Sequence, residues 1–190
     1  MLTVVGLGNP GLRYLDSRHN VGFRVVELAA RGLGIKLRRP WLRDYRLGQA
    51  APEGRRLCLV QPLTYMNRSG AALSSLRPLE GDGSLLVVCD TLDLPPGQCR
   101  LRRGGSSAGH KGLVSIIAAL GRTDFLRLYV GIGRPSRPEE VVDYVLGCPS
   151  GQEAEALQRG EQRAAEGVLA LLHEDPEKVM NALNQSPRRP

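Results

Sequence analysis

Four short apolar runs punctuate the chain, Leu2–Val5, Leu57–Val60, Leu85–Val88 and Leu128–Ile132, each bounded by turn formers or charged residues. Continuous apolar runs of this length predict strands buried on both faces. Between the runs the apolar spacing lengthens. Val21, Val25, Leu28 and Ala29 recur at helical intervals, as do Leu113, Ile116, Ile117 and Leu120, while Leu157, Val168, Leu171 and Leu172 mark a longer helix after Ser150. Strands alternating with helices predict an α/β class: a single domain over residues 1–184 with a twisted mixed, mostly parallel sheet flanked by helices. Functional loops are expected beyond the carboxyl ends of the strands. The tail, 185–190, is expected to fray.

At 190 residues and 42% hydrophobic composition, the chain can bury one core and needs no second domain. Met1-Leu2-Thr3-Val4-Val5 lacks a basic leader and runs straight into a glycine turn, and no apolar stretch approaches the roughly 20 residues that span a bilayer. A cytoplasmic location without membrane contact is therefore expected. Cys58, Cys89, Cys99 and Cys148 show no C-x-x-C pairing, so reduced, structural thiols are expected, and three histidines leave a zinc site little to draw on.

The net charge of +7 and the pI near 9.7 point to a polyanionic partner, with nucleic acid the leading class. Clustering strengthens this. Arg38, Arg39, Arg43 and Arg46 fall together, and Arg100, Arg102 and Arg103 precede the Gly104-Gly105 loop, whereas Glu residues gather after residue 138. The bland reading is a basic composition alone, since 23 of the 26 basic residues are Arg.

Three polar clusters lie beside glycines: Asn9-Pro10-Gly11 with Arg18-His19-Asn20, then Thr64 to Gly70, then Asp90 to Gly112. Gly6-Leu7-Gly8-Asn9-Pro10-Gly11 fits the G-x-G-x-x-G pattern of dinucleotide-binding loops, but Pro10-Gly11 makes a further turn and the first helical pattern starts only near Val21. The segment reads better as a turn that presents Asn9 at the end of the first strand. Gly104 to Gly112 likewise lacks the Gly-Lys-Ser/Thr ending of a phosphate-binding loop.

His19, just before a helix, is the candidate general base, because an imidazole titrating near neutral pH can take a proton from water. Asp90 follows the run Leu85 to Cys89 and would emerge at a strand end, where it could orient one ring nitrogen of His19. Asp93 is its rival, although an Asp beside Leu94-Pro95-Pro96-Gly97 more often braces a turn. Ser69, Ser106 and Ser107 are possible nucleophiles, yet none sits in a G-x-S-x-G elbow, so direct attack by His19-activated water needs fewer assumptions. Asn9 and Asn67 could then donate amide hydrogen bonds to the scissile carbonyl.

Gly6 to Gly11, Arg18 to Asn20, Pro62 to Asn67 with Ser69-Gly70, Asp93 to Gly97, and Gly131-Ile132-Gly133-Arg134-Pro135 appear in the order found in bacterial peptidyl-tRNA hydrolases. The chain resembles that family over nearly its whole length. The resemblance implies a single α/β domain that works as a monomer without metal or cofactor and cleaves the ester joining a peptidyl group to the 3′-terminal ribose of tRNA. It also implies His19 as general base, Asp90 as its partner, and Asn9 as the residue that tells an N-blocked ester from a free aminoacyl ester. Tyr14, Tyr65, Met66 and Asn67 would line the cleft, and Arg100 and Arg102 would meet phosphates. Three positions depart from the family pattern. Thr91 stands where an acidic residue is common, Lys111 replaces the Asn of His-Asn-Gly, and Tyr129 replaces a basic residue, with Arg127 nearby as a remaining cation. A Lys at 111 can donate to a carbonyl or phosphate but cannot accept as an amide does.

Two functional classes follow: an esterase acting on peptidyl-tRNA, and a noncatalytic RNA-binding relative that has drifted at Lys111 and Tyr129. Retention of His19, Asp90, Asn9 and Asn67 favours the enzyme, since a binder has no chemical need for that set. An oxidoreductase built on the first glycine loop ranks far below both.

Overall fold

The computed structural model describes residues 1–74, 76 and 84–185. Its centre is a sheet of β1 (Leu2–Gly6), β2 (Tyr45–Ala50), β3 (Leu57–Pro62), β4 (Ser84–Thr91), β5 (Cys99–Arg103) and β6 (Leu126–Gly131). The strand order is β2-β3-β1-β4-β6-β5. β1 pairs parallel with β3 and β4, and β4 pairs parallel with β6, while β2 and β5 run antiparallel at the two edges. This is the mixed, mostly parallel sheet that the sequence predicts. Apart from Gln185, the tail expected to fray lies outside the described residues.

Alternation along each strand sends neighbouring residues to opposite faces. Leu2, Val4, Leu57, Leu59, Leu86 and Val88 pack on one side beneath α1 (Val21–Gly32), α5 (Gly151–Ala170) and α6 (Pro176–Asn184). Val5, Cys58, Val60, Leu85, Val87 and Cys89 face the other way, toward α2 (Ser69–Leu73) and α3 (Lys111–Leu120). Both faces are covered, which is why the central strands read as unbroken apolar runs. The short α4 (Val141–Leu146) stands apart from both layers, at the end of the sheet where β1, β4 and β6 finish.

The edge strands were not foreseen, and their composition explains it. β5 buries only Cys99 and Leu101 and turns Arg100, Arg102 and Arg103 to solvent, so its apolar signal is two residues long. β2 carries Arg46, Gly48 and Gln49 in six residues. The long C-terminal helix begins after Ser150 as expected but ends at Ala170, and Leu171 and Leu172 form the turn that leads to α6. Leu172 is still buried, so its apolar period reports the core rather than the helix.

Packing also disposes of the dinucleotide reading. A side chain at Gly6 would come within 2.1 Å of the Gly22 carbonyl oxygen, and one at Gly8 within 2.7 Å of the Phe23 ring. The space beside both glycines is taken by α1, leaving no cradle for a pyrophosphate.

The thiols fit a structural role. Cys58, Cys89 and Cys99 are buried and Cys148 is exposed, all of them free. Burial pushes the Cys58 and Cys99 thiols up to about 11, far from reactive thiolates.

Candidate active site

Asp90 continues the row of Leu86 and Val88 on β4, two residues further toward the strand's carboxyl end, and so faces the start of α1. There a single helical turn, Arg18–Asn20, runs directly into α1 and delivers His19. His19 Nδ1 lies 2.7 Å from Asp90 Oδ1. A second imidazole reaches the same oxygen, with His110 Nε2 at 3.1 Å. Burial pushes the Asp90 carboxyl up, but the facing His19 and His110 outweigh that effect and hold it well below the usual carboxylate range. The acceptor is therefore a carboxylate, and both rings must donate to it.

That requirement fixes the tautomers. His110 caps α3, its Nδ1 accepting the Leu113 backbone N–H at 3.3 Å, so its proton sits on Nε2 and points at Asp90. In its neutral form His19 donates through Nδ1 and carries its lone pair on Nε2. The His19, Asp90 and His110 donor atoms lie within 4.8 Å of one another, a set able to hold a transition-metal ion. The two direct hydrogen bonds account for their closeness without one.

Asn9 sits just past β1, almost fully buried, and is held from three directions. Its backbone N–H donates to Asn20 Oδ1 at 2.8 Å, and Asn20 Nδ2 returns a bond to the Asn9 carbonyl at 3.0 Å. Its own Oδ1 accepts the Met66 N–H at 2.8 Å. The side-chain oxygen being occupied, Asn9 Nδ2 is the free group, and it has no partner among the described residues. Asn9, His19, Met66, Asp90 and His110 border a cavity of about 560 Å³.

Tyr14, Tyr65, Met66, Asn67 and Lys111 all border this cavity. Met66 is buried beneath it against Gly112, whereas Tyr65, Asn67 and Lys111 are exposed at the rim. Arg100 and Arg102 do not border it. They project from the edge strand β5, Arg100 opposite Tyr129, which does. Asp93 is paired with Arg134 at 2.5 Å instead of with a histidine. Ser69 is fully buried and its hydroxyl donates to the Met66 carbonyl at 2.9 Å, which removes it as a nucleophile.

Arg127 is corrected by the structure. It is fully buried, stacked over Phe125, and its guanidinium donates to the carbonyls of Ser106, Gly105 and Thr123, so it braces the loop before His110 and meets no external phosphate. Arg18 is likewise internal. It grips Glu153 through Nε and Nη2 at 2.6 and 2.7 Å and stacks on Tyr144, tying the His19 turn to α4 and α5. The hydrogen bonds from Arg18 hold the Glu153 carboxyl below its ordinary value.

Sequence reasoning gave no role to His110, to Asn20 or to the wall formed by Val141, Val142 and Val145 of α4. His110 had a usable signal: it precedes an apolar helical period, as His19 does. Asn20 had none, because a buried amide that clamps a backbone looks like any loop Asn.

The profile of the peptidyl-tRNA hydrolase family matches residues 3–190. The chain belongs to that family. Relatives named peptidyl-tRNA hydrolase include those of Moorella thermoacetica, 47% identical over 97% of this chain and 98% of its own, and Bacillus subtilis, 40% identical over 97% and 98%. The Acinetobacter baumannii peptidyl-tRNA hydrolase structure superposes with a TM-score of 0.87 at 35% identity, covering 97% of this chain and 94% of its own. A peptidyl-tRNA hydrolase crystallised with N-propanol superposes at 0.89 with 33% identity, covering 100% and 97%.

Proposed function

We propose that this chain is a peptidyl-tRNA hydrolase, an enzyme that cleaves the ester between an N-blocked aminoacyl or peptidyl group and the 3′-terminal ribose of tRNA. The observation that carries the reading is the hydrogen bond from His19 Nδ1 to the buried, ionised Asp90, which leaves His19 Nε2 as a base at the wall of the cavity. His19 Nε2 takes a proton from water as the water oxygen bonds to the ester carbon. Asp90 stabilises the imidazolium so formed.

Asn9 Nδ2 donates to the oxyanion of the tetrahedral intermediate, with Asn67 at the rim as a second amide donor. Collapse of the intermediate breaks the bond to the ribose oxygen, which takes the proton back from His19. The products are tRNA with a free ribose hydroxyl and the carboxylic acid of the blocked amino acid or peptide, which then releases its proton to solvent. Tyr14, Tyr65 and Met66 hold the adenosine and first peptide unit. Lys111, Arg100 and Arg102 meet phosphates or carbonyls.

The reading includes a monomer working in the cytoplasm on peptidyl-tRNA, without cofactor or metal. No helix among the described residues is long and apolar enough to cross a membrane. Nothing observed favours the noncatalytic alternative. The test is release of tRNA from N-acetyl-aminoacyl-tRNA, with unblocked aminoacyl-tRNA as control. Cleavage of the blocked ester alone, lost in His19→Ala, is expected; tRNA binding without cleavage by the native chain would overturn the proposal.

A further inference from the structure

Two adjacent exposed apolar side chains lie outside the cavity. Trp41 and Leu42 are 87% and 84% exposed, at the tip of the turn that leads into β2. The turn is closed by the Arg43 N–H donating to the Pro40 carbonyl, and Leu42 adopts φ +56°. That left-handed region is one a branched side chain enters only at a cost, so something must hold it there. Arg39 does so, its Nε donating to the Arg43 carbonyl at 2.7 Å while Nη2 pairs with Asp44 at 3.3 Å. The result is a braced turn that pushes an indole and an isobutyl group into water, an arrangement with no value to the core.

Two further observations say what fits it. Arg38 and Arg43 flank the turn and Lys36 lies further along the same edge beside Gly48, none of them with an acidic partner among the described residues, and Lys36, Arg38, Arg39 and Pro40 border a concavity of about 890 Å³. The turn also stands at the catalytic end of the sheet. β2 runs antiparallel to β3 with Tyr45 opposite Pro62, and the Asp44 carbonyl accepts the Leu63 N–H at 2.7 Å, immediately before the segment that lines the cavity.

We propose that the Trp41–Leu42 turn is an RNA-docking element, in which the indole stacks on a base of the tRNA body while Lys36, Arg38 and Arg43 meet its phosphates. Unpaired cations select a polyanion, and a fully presented indole face offers stacking to any base. The proposal rests on the peptidyl-tRNA reading and adds a contact beyond the ester-cleaving cavity.

Trp41 is the chain's one tryptophan, so its own emission reports the contact. Deacylated tRNA is expected to quench that emission in the native chain. Trp41→Ala should raise KM for N-acetyl-aminoacyl-tRNA about five- to a hundredfold, with kcat unchanged. On the N-acetyl-aminoacyl ester of adenosine alone, the same variant should behave like the native chain. Arg38→Gln with Arg43→Gln should lower the slope of log affinity against log salt by roughly 1.5. Unquenched emission with an unchanged KM would overturn the proposal, as would an equal KM rise on both substrates, which would place the effect in the cavity. Trp41-dependent binding to phosphatidylglycerol vesicles with an unchanged KM for tRNA would mean a membrane contact instead. Quenching by tRNA without cleavage of either ester would sink the enzyme reading and leave this one standing.

Discussion

The Asn9 side-chain oxygen accepts the Met66 backbone N–H at 2.8 Å, which turns the amide so that its NH₂ faces the cavity. Two loops from different strands thereby orient one donor. Asn9→Asp keeps the acceptor and the packing but replaces the donor with a second carboxylate oxygen. Turnover of N-acetyl-aminoacyl-tRNA is expected to fall by about 10² to 10³, the worth of one oxyanion donor, with the thermal midpoint little changed. Steady-state kinetics and a melting curve on the same sample check this, and a variant with normal turnover would show that Asn9 donates nothing to the reaction.

His110 and His19 share one oxygen of Asp90, so their losses should differ in kind. His19→Ala removes the proposed base and is expected to reduce kcat by roughly 10² to 10⁴. His110→Ala removes only a bond that positions the carboxylate, and about a tenfold fall in kcat with little change in KM is expected. His110→Gln, which retains an N–H donor, should recover part of it. Single-turnover rates distinguish the cases; equal losses for the two alanine variants would give His110 a direct part in the chemistry.

Acid should reveal the Asp90 charge. Its folded-state pKa lies below the unfolded carboxylate value of about 3.9, so the ionised group contributes stability above roughly pH 4 and loses that contribution as pH falls further. Asp90→Asn is expected to lower stability by about 2 kcal/mol at pH 7, the scale of hydrogen bonds to a charged acceptor. The gap from the native chain should shrink at pH 3. Urea denaturation at both pH values measures it, and a gap that widens in acid would contradict the sign of the shift.

Lys111 opens α3, where the helix dipole disfavours a cation. Lys111→Asn is therefore expected to stabilise the fold by about 0.5 kcal/mol and to change KM for the tRNA ester while leaving the single-turnover rate at saturating enzyme within a factor of about three. A hundredfold rise in that rate would instead make Lys111 a defect in the chemistry itself.

The parts of this architecture that could be read from the sequence are those governed by burial on both sides. β1, β3, β4 and β6 carry short, mainly apolar runs because helices cover both faces, and each was located to within a few residues. β2 and β5 escaped because an edge strand shows half its residues to water, and here that half is largely Arg and Gln. Around the cavity, His19, Asp90 and Asn9 were singled out because Asn9 and Asp90 stand at strand ends and His19 just before a helix. His110 also precedes a helix and was passed over, its tie to Asp90 spanning twenty residues of sequence but only 3.1 Å of space. Arg127 misled for the opposite reason: charge suggests exposure, and only the fold reveals three backbone carbonyls waiting for one guanidinium.

Gly6 and Gly22 meet where α1 crosses β1, with no room for a methyl group on either. The reach from His19 to Asp90 is thus set by two residues that contribute no side chain. Such a spacing cannot be tuned by degrees, because the smallest available change is a whole carbon atom wedged between a helix and a strand. Side chains at the rim, Tyr65, Lys111 and the face of α4, can change size without touching this crossing, whereas at its centre the helix and the strand admit no larger residue.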